Sequence, residues 1–242
     1  MILERIPGER FSRVLPQWGS YTAVLIAGGP SLTREHVELV RGAREVDRVR
    51  VIGINDAYLI APWADVIYAA DSKWHKWHAA GIDKPKLGMI AAEVRLRWSA
   101  YMGQKCSIEN SLGGIEDPNV HILRNKYGDS NHGAELSLDS ERLAPGRHSG
   151  FQALNLAVLA GCKRVLLLGY DAKDSHEGDK HWHGDHPSQS NTSVYALMRQ
   201  AFSLAERGLK AAGVSVINCS PHSAIDTFPK IDLQDALEMV CT

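Results

Sequence analysis

The sequence predicts an α/β fold: one domain with a mainly parallel sheet and helices on both faces. Three observations point there. Short, continuously apolar runs recur along the chain, residues 22–27 (TAVLIA) and 164–168 (RVLLL) being the clearest; a strand with one face in water would alternate instead. Helical patterns separate these runs, which is the alternation a parallel sheet needs. The runs also end in small or polar residues, namely Gly28-Gly29, Asn55, Asp71, Asp171 and Cys219-Ser220. Open parallel sheets bind their ligands beyond such carboxyl ends.

Residues 22–27 form the first strong strand, closed by Gly28, Gly29 and Pro30. Beyond them Ser31 or Thr33 serves as an N-cap, with Glu35 in the first turn of an amphipathic helix running through Val40. Residues 50–54 (RVIGI) and 65–70 (DVIYAA) read as the next strands, ending at Asn55-Asp56 and Asp71-Ser72. Between them residues 57–63 form a short helix broken before Pro62, and 86–91 and 120–123 are weaker strands. Residues 149–160 (SGFQALNLAVLA) are a mostly apolar helix capped by Ser149 and stopped by Gly161. Strand 164–168 follows and closes at Gly169, Tyr170 and Asp171. A long helix over 193–212 ends at Gly213, strand 214–218 (VSVIN) comes next, and residues 232–240 form a terminal helix. Two stretches, 127–145 and the His-rich 173–191, stand out as lid or insertion candidates. The sum is a Rossmann-like architecture over residues 1–242.

Bulk properties narrow the function classes. A chain of 242 residues buries a sizeable core without disulfides or metals. The formal net charge of −1 provides no global field to attract nucleic acid or an acidic membrane. Cys106, Cys162, Cys219 and Cys241 form no C-x-x-C pair and are read as thiols in a reducing, cytoplasmic setting. The first 20 residues lack the pattern of a secretory signal, and no apolar stretch approaches bilayer-spanning length. A homo-oligomer is compatible with all of this.

Four segments carry candidate chemistry. The turn Gly28, Gly29, Pro30, Ser31 lets backbone amides approach an anion closely, because glycines lack Cβ atoms and a helix start presents unpaired N–H groups. It lacks the P-loop Lys and is not G-x-G-x-x-G. His181, His183, Asp185 and His186 match H-x-H-x-D-H, the spacing by which metallo-β-lactamase-like hydrolases hold two metal ions, although the polar context before it differs from theirs. These are metal ligands, a solvated polar loop, or acid/base histidines with pKa values near neutrality. Residues 74–78 (WHKWH) either stack on a base or turn their tryptophans inward, and Arg95, Arg97 and Trp98 read as a solvated helix face. His148, Ser149 and Gly150 either cap a helix or bring a hydroxyl and amides to a nucleotide.

Three pieces together are familiar: residues 27–32 (AGGPSL), His148-Ser149-Gly150 leading to 160–171 (AGCKRVLLLGYD), and Gly184-Asp185-His186. They resemble the bacterial lipooligosaccharide sialyltransferases, the motility-accessory-factor flagellin glycosyltransferases and the 6-hydroxymethylpterin diphosphokinase-like proteins. Residues 214–223 (VSVINCSPHS) resemble the strand and loop that follow in that group, and 54–58 (INDAY) with 61–65 (APWAD) resemble phage-encoded members of unassigned function. The resemblance implies a sialyltransferase-like, GT-A variant fold. It also implies that Gly28, Gly29, Ser31, Asn55, Ser149 and Gly150 hold a nucleotide-sugar donor, CMP-linked in the sialyltransferases. Asp71, Ser72, His148, Tyr170 and Asp171 complete the expected nucleotide and phosphate site. The family's general-base His follows a Gly in the late loop; here Asp185 occupies that place and His186 comes next, so His186, His183 and Asp185 are the catalytic candidates. The family's paired phosphate-binding tyrosines have no obvious equivalent in this loop, where Lys173, Lys180, His181 or His183 could substitute.

The leading expectation is therefore metal-independent glycosyl transfer from a nucleotide sugar to a hydroxyl acceptor with a His base. Pyrophosphoryl transfer to a pterin-like alcohol is an alternative; it would require ATP and magnesium, held through water by Asp71, Asp171 and Asp185. A non-catalytic, nucleotide-binding phage accessory protein is a third reading, and metal-dependent hydrolysis through His181, His183, Asp185 and His186 a minor fourth.

Overall fold

The computed structural model describes residues 1–109, 114–128, 130, 132–184 and 194–241. An antiparallel hairpin, β1 (Leu3–Arg5) and β2 (Ser12–Val14), opens the chain. It is tied to the main sheet by the Gln104 amide, whose oxygen accepts from the Ile2 and Leu3 N–H groups and whose nitrogen donates to Leu3 O. The main sheet has eight strands in the order β10-β9-β3-β4-β5-β6-β7-β8, and every neighbouring pair is parallel. They are β3 (Thr22–Ile26), β4 (Val49–Ile54), β5 (Val66–Tyr68), β6 (Gln104–Ile108), β7 (Val120–Asn125), β8 (Arg142–Leu143), β9 (Arg164–Leu168) and β10 (Ser215–Asn218).

Both faces are covered, which is why the central strands read as unbroken apolar runs. Ala23 and Leu25 of β3 point into one core, under α4 (Ser149–Leu159) and α5 (Val194–Ala211). Val24 and Ile26 point into the other, under α1 (Arg34–Glu45), α2 (Ser72–Ala80), α3 (Ala91–Ser99) and α6 (Leu233–Cys241). The same alternation splits Val165 and Leu167 from Leu166 and Leu168 in β9. From β3 the strands step outward to β8, and α4 then carries the chain back to β9, on the other side of β3. The strand order thus reverses between β3 and β9, the position at which open α/β sheets form a ligand crevice.

Several local expectations change. Residues 86–91 are not a strand: Pro85–Leu87 is a 3-10 turn followed by Gly88 at φ +66°, and α3 begins at Ala91. The helix expected over 57–63 is a 3-10 turn, Asn55–Leu59. The N-cap of α4 is His148 rather than Ser149, its side chain accepting from Phe151 N–H. Strand β6 escapes a hydropathy reading because Lys105 sits in it; that ammonium lies buried over the Trp98 ring, 4.2 Å from its centroid. Trp98 is itself buried, so the face with Arg95 and Arg97 is not wholly solvated.

The 127–145 stretch supplies β8 and core residues Leu136, Leu143 and Ala144 rather than a separate flap. It is stitched to α4 by Asn155, whose buried amide accepts from the Ser137 and Ala144 N–H groups and donates to Ser137 O. Cys106, Cys162 and Cys219 are free and buried, and burial pushes the Cys162 and Cys219 thiols up to about 12. No helix among the described residues is long and apolar enough to cross a membrane.

Candidate functional site

The turn after β3 is held by the turn after β9. Ala27 N–H donates to Leu168 O at 2.8 Å, and Gly29 N–H donates to Gly169 O at 2.9 Å. A Cβ on Gly29 would run into the Gly169 carbonyl and the Asp171 carboxylate, so the backbones approach this closely only with Gly here. Asp171 Oδ2 in turn accepts from Ser31 N–H (3.2 Å) and Ser31 Oγ (2.9 Å). Burial raises the Asp171 pKa, against the pull of those hydrogen bonds.

The expectation of unpaired amides at a helix start is therefore met differently. Helix α1 begins at Arg34, capped by Thr33 in a reciprocal box with His36. The Gly29 and Ser31 amides already have acceptors, and the anion seated at Ser31 is the protein's own Asp171.

On this turn lies the segment 181–183. Trp182 N–H donates to Gly28 O and its indole Nε1–H to Ala27 O, each at 3.2 Å, while His181 Nδ1 stands 3.3 Å from Gly28 O. The imidazoles of His181 and His183 stack with centroids 5.0 Å apart. A Cβ on Gly28 would come within 3.3 Å of both His181 Nδ1 and His183 Nε2, so the missing side chain is what brings these rings against the turn.

The opposite wall is the start of α4. His148 caps that helix, and burial lowers its pKa to about 4, so its neutral Nδ1 accepts from Phe151 N–H. Tyr170 OH donates to Gly150 O at 3.0 Å. Asn55, in left-handed backbone at φ +52°, completes a cleft of about 330 Å³ at the β3/β9 crevice.

Of the residues singled out by sequence, Gly28, Gly29, Asn55, His148, Ser149, Gly150, Tyr170, Asp171, His181 and His183 line this one cleft, together with Lys173 and Lys180. Ser31 lines an adjoining groove that shares Asp171 and Lys173. Asp71 and Ser72 stand elsewhere: Asp71 is the exposed N-cap of α2, accepting from Lys73 N–H, and Ser72 is buried beside His75 around a separate hollow. Of residues 74–78, Trp74, His75 and His78 turn inward while Lys76 is exposed and Trp77 half-buried; Trp74 is stacked on His78 and edge-on to Trp98. Asp185 and His186 lie outside the described residues, among which no group of three or more His, Cys, Asp or Glu side chains is arranged to hold a metal ion.

Two features escaped the sequence reading. Tyr195 of α5 enters the cleft and donates to Asp174 Oδ1 at 2.7 Å; its only signal is the amphipathic face of α5. The second is Asp56, fully buried one residue beyond Asn55. Its carboxylate pairs with the buried Lys84 ammonium and accepts from Trp74 Nε1–H at 2.7 Å. It also lies 3.2 Å from His78 Nε2 and 3.4 Å from His183 Nδ1. Burial alone would raise this carboxyl, but His78, His183 and Lys84 outweigh it and hold the group well below the usual carboxylate range. Only the clustering of polar residues at the end of β4 marked the position.

Fold and cleft together define an α/β protein with an open crevice at the switch point of a parallel sheet. No protein-family model matches the chain, and no curated protein matches it. Among solved structures, the MAf glycosyltransferase from Magnetospirillum magneticum AMB-1 shares the fold, with a TM-score of 0.57 and 14% identity over 93% of this chain. The alignment takes in 35% of that protein, so this chain spans about a third of its length. The sialyltransferase CstII from Campylobacter jejuni, solved with CMP-3FNeuAc and with cytidine-5'-monophosphate, aligns over 87% of this chain and 85% and 84% of its own. Those two alignments have 11% identity and TM-scores of 0.47 and 0.49, too weak a likeness to argue from.

Proposed function

We propose that the cleft binds a nucleotide sugar and transfers its glycosyl group to a hydroxyl acceptor, with His183 as the general base. One observation carries the reading: residues as far apart along the chain as Gly28, His183 and Tyr195 converge on the switch-point crevice of a fold shared with a glycosyltransferase. The nucleoside lies against Asn55 and the Ser149-Gly150 start of α4. Because the Gly29 and Ser31 amides are committed, the donor phosphate is met by the ammonium groups of Lys173 and Lys180. Asp171 at the other end of the turn disfavours an anion there and directs the phosphate toward the lysines.

In the transfer step the acceptor oxygen bonds to the anomeric carbon and its proton passes to His183 Nε2. The bond from that carbon to the phosphate oxygen breaks, and the nucleotide leaves with the electron pair. His148 is unsuited to the role, since its Nδ1 is engaged in capping α4. Titration calorimetry with cytidine, uridine and guanosine monophosphates tests the reading. Saturable binding of one of them, weakened in Lys173→Ala, is expected; no binding across the panel would overturn it.

A further inference from the structure

We propose that Asp56 is a positioning residue that fixes His183 as the Nδ1–H tautomer, leaving Nε2 beside Gly28 as the basic nitrogen of the cleft. The inference rests on the sugar-transfer reading for what His183 does, and on the buried contacts alone for how His183 is held.

The two nitrogens of His183 face different surroundings. Nδ1 lies 3.4 Å from Asp56 Oδ2, an ion-pair contact in which the hydrogen bond is not yet formed, and Nε2 is on the Gly28 side. A deprotonated carboxylate can only accept, so the nitrogen facing it must carry the proton. That Asp56 is deprotonated follows from its surroundings. Lys84 supplies a buried positive charge, Trp74 Nε1–H donates to Oδ1, and His78 Nε2 lies 3.2 Å from the same oxygen.

His78 is held from both sides. Tyr58 OH lies 2.5 Å from His78 Nδ1, and burial raises the phenol pKa, so the phenol keeps a proton that it can donate to Nδ1 while Nε2 faces the accepting carboxylate. His78 is then an Nε2–H donor toward Asp56. Burial also lowers the His78 pKa, which keeps that ring neutral.

Lys84, Trp74, His78 and His183 thus surround one carboxylate, Trp74 by a formed hydrogen bond and the others as close charged or polar contacts, and three of these four belong to parts of the fold with no role in the cleft. Among the described residues, the groups facing His183 include Asp56, with His78 and Lys84 around that carboxylate, and the rings of His181 and Trp182. Such an arrangement does two things for a base: it sets the tautomer before substrate arrives, and it stabilises the imidazolium that forms when the acceptor proton is taken. The separation of 3.4 Å shortens as the ring gains charge.

The test reads the ring nitrogens directly. Long-range proton–nitrogen correlation spectra of histidine-labelled protein at pH 8, assigned with His183→Gln, are expected to show His183 protonated at Nδ1 and bare at Nε2. An Nε2–H or doubly protonated signature in the wild-type protein overturns the proposal. In Asp56→Asn/Lys84→Met, which removes both buried charges together, the population moves toward Nε2–H. Turnover of the nucleotide sugar that binds then falls at least about 100-fold with donor KM unchanged; an unchanged tautomer and rate in that variant also overturn the proposal. Failure of every nucleotide to bind would remove the sugar-transfer reading, while the wild-type spectrum still decides the pairing of Asp56 with His183.

Discussion

The two supports of the cleft, the β3 turn and the pocket beneath His183, are built from different forces. The turn is held by main-chain hydrogen bonds, Gly29 to Gly169 and Ala27 to Leu168, which need only that the backbones come close. The pocket is held by charges: a carboxylate and an ammonium, both out of water, with two imidazoles and an indole arranged around them. A close backbone approach tolerates little added volume, and a buried charge tolerates little loss of partner. The two supports should therefore fail differently.

The largest effect expected is on the pocket. Asp56→Ala leaves Lys84 buried without its counter-charge and should cost about 3–5 kcal/mol in urea unfolding. The Asp56 contribution also has a pH signature. Its folded pKa is depressed, so the stabilisation is complete above the unfolded value near about 4 and is lost as pH falls through the folded value. A denaturation series below pH 4 should show a steep loss in the wild-type protein that is weaker in Asp56→Ala.

Next is the turn. Gly29→Ala places a methyl against the Gly169 carbonyl and the Asp171 carboxylate, and overpacking of that kind costs about 1–3 kcal/mol. If Gly29→Ala proved more damaging than Asp56→Ala by the same measurement, the contrast between the two supports would be reversed.

The wall of α4 offers a smaller test. His148 has a folded pKa of about 4, below its unfolded value, so the unfolded chain binds its proton first and stability declines as pH falls from about 6.5 toward 4. His148→Asn keeps a capping acceptor and removes the titration, so the slope of unfolding free energy over that window should flatten. The burial-lowered His75, His78 and His121 remain to give the residual slope.

The smallest effect on stability should come from Gly28→Ala, whose methyl meets only imidazole edges at 3.3 Å. A change under about 1 kcal/mol is expected, with a shift of the His181 and His183 ring resonances. Silent rings would mean that the segment 181–183 does not rest on the turn in solution.

Much of the framework was legible because it is local. Continuous apolar strands reveal a sheet covered on both faces, and the Gly28-Gly29 break, the apolar α4 and the β9 run could each be read in place. Of the strand-end residues, Gly28, Gly29, Asn55 and Asp171 line one cleft, whereas Cys219 and Ser220 are buried outside its lining and Asp71 and Ser72 stand elsewhere, their strand lying two places from β3 across the sheet. Strand β6 stayed hidden because its buried Lys105 is compensated by Trp98 and by Asp117 at 3.7 Å, both outside the strand itself.

The sequence by itself determined the α/β class, the glycines of the first turn and the residue types available for binding, since periodicity and chain flexibility are properties of neighbours along the chain. Tertiary structure decided which of those residues meet. The order of strands placed the crevice between β3 and β9, and folding brought Asp56, His78, Lys84 and His183 to one buried point. Coulomb attraction and hydrogen bonding act over a few ångströms of space, whatever the separation along the chain, and so leave no periodic trace in the order of residues.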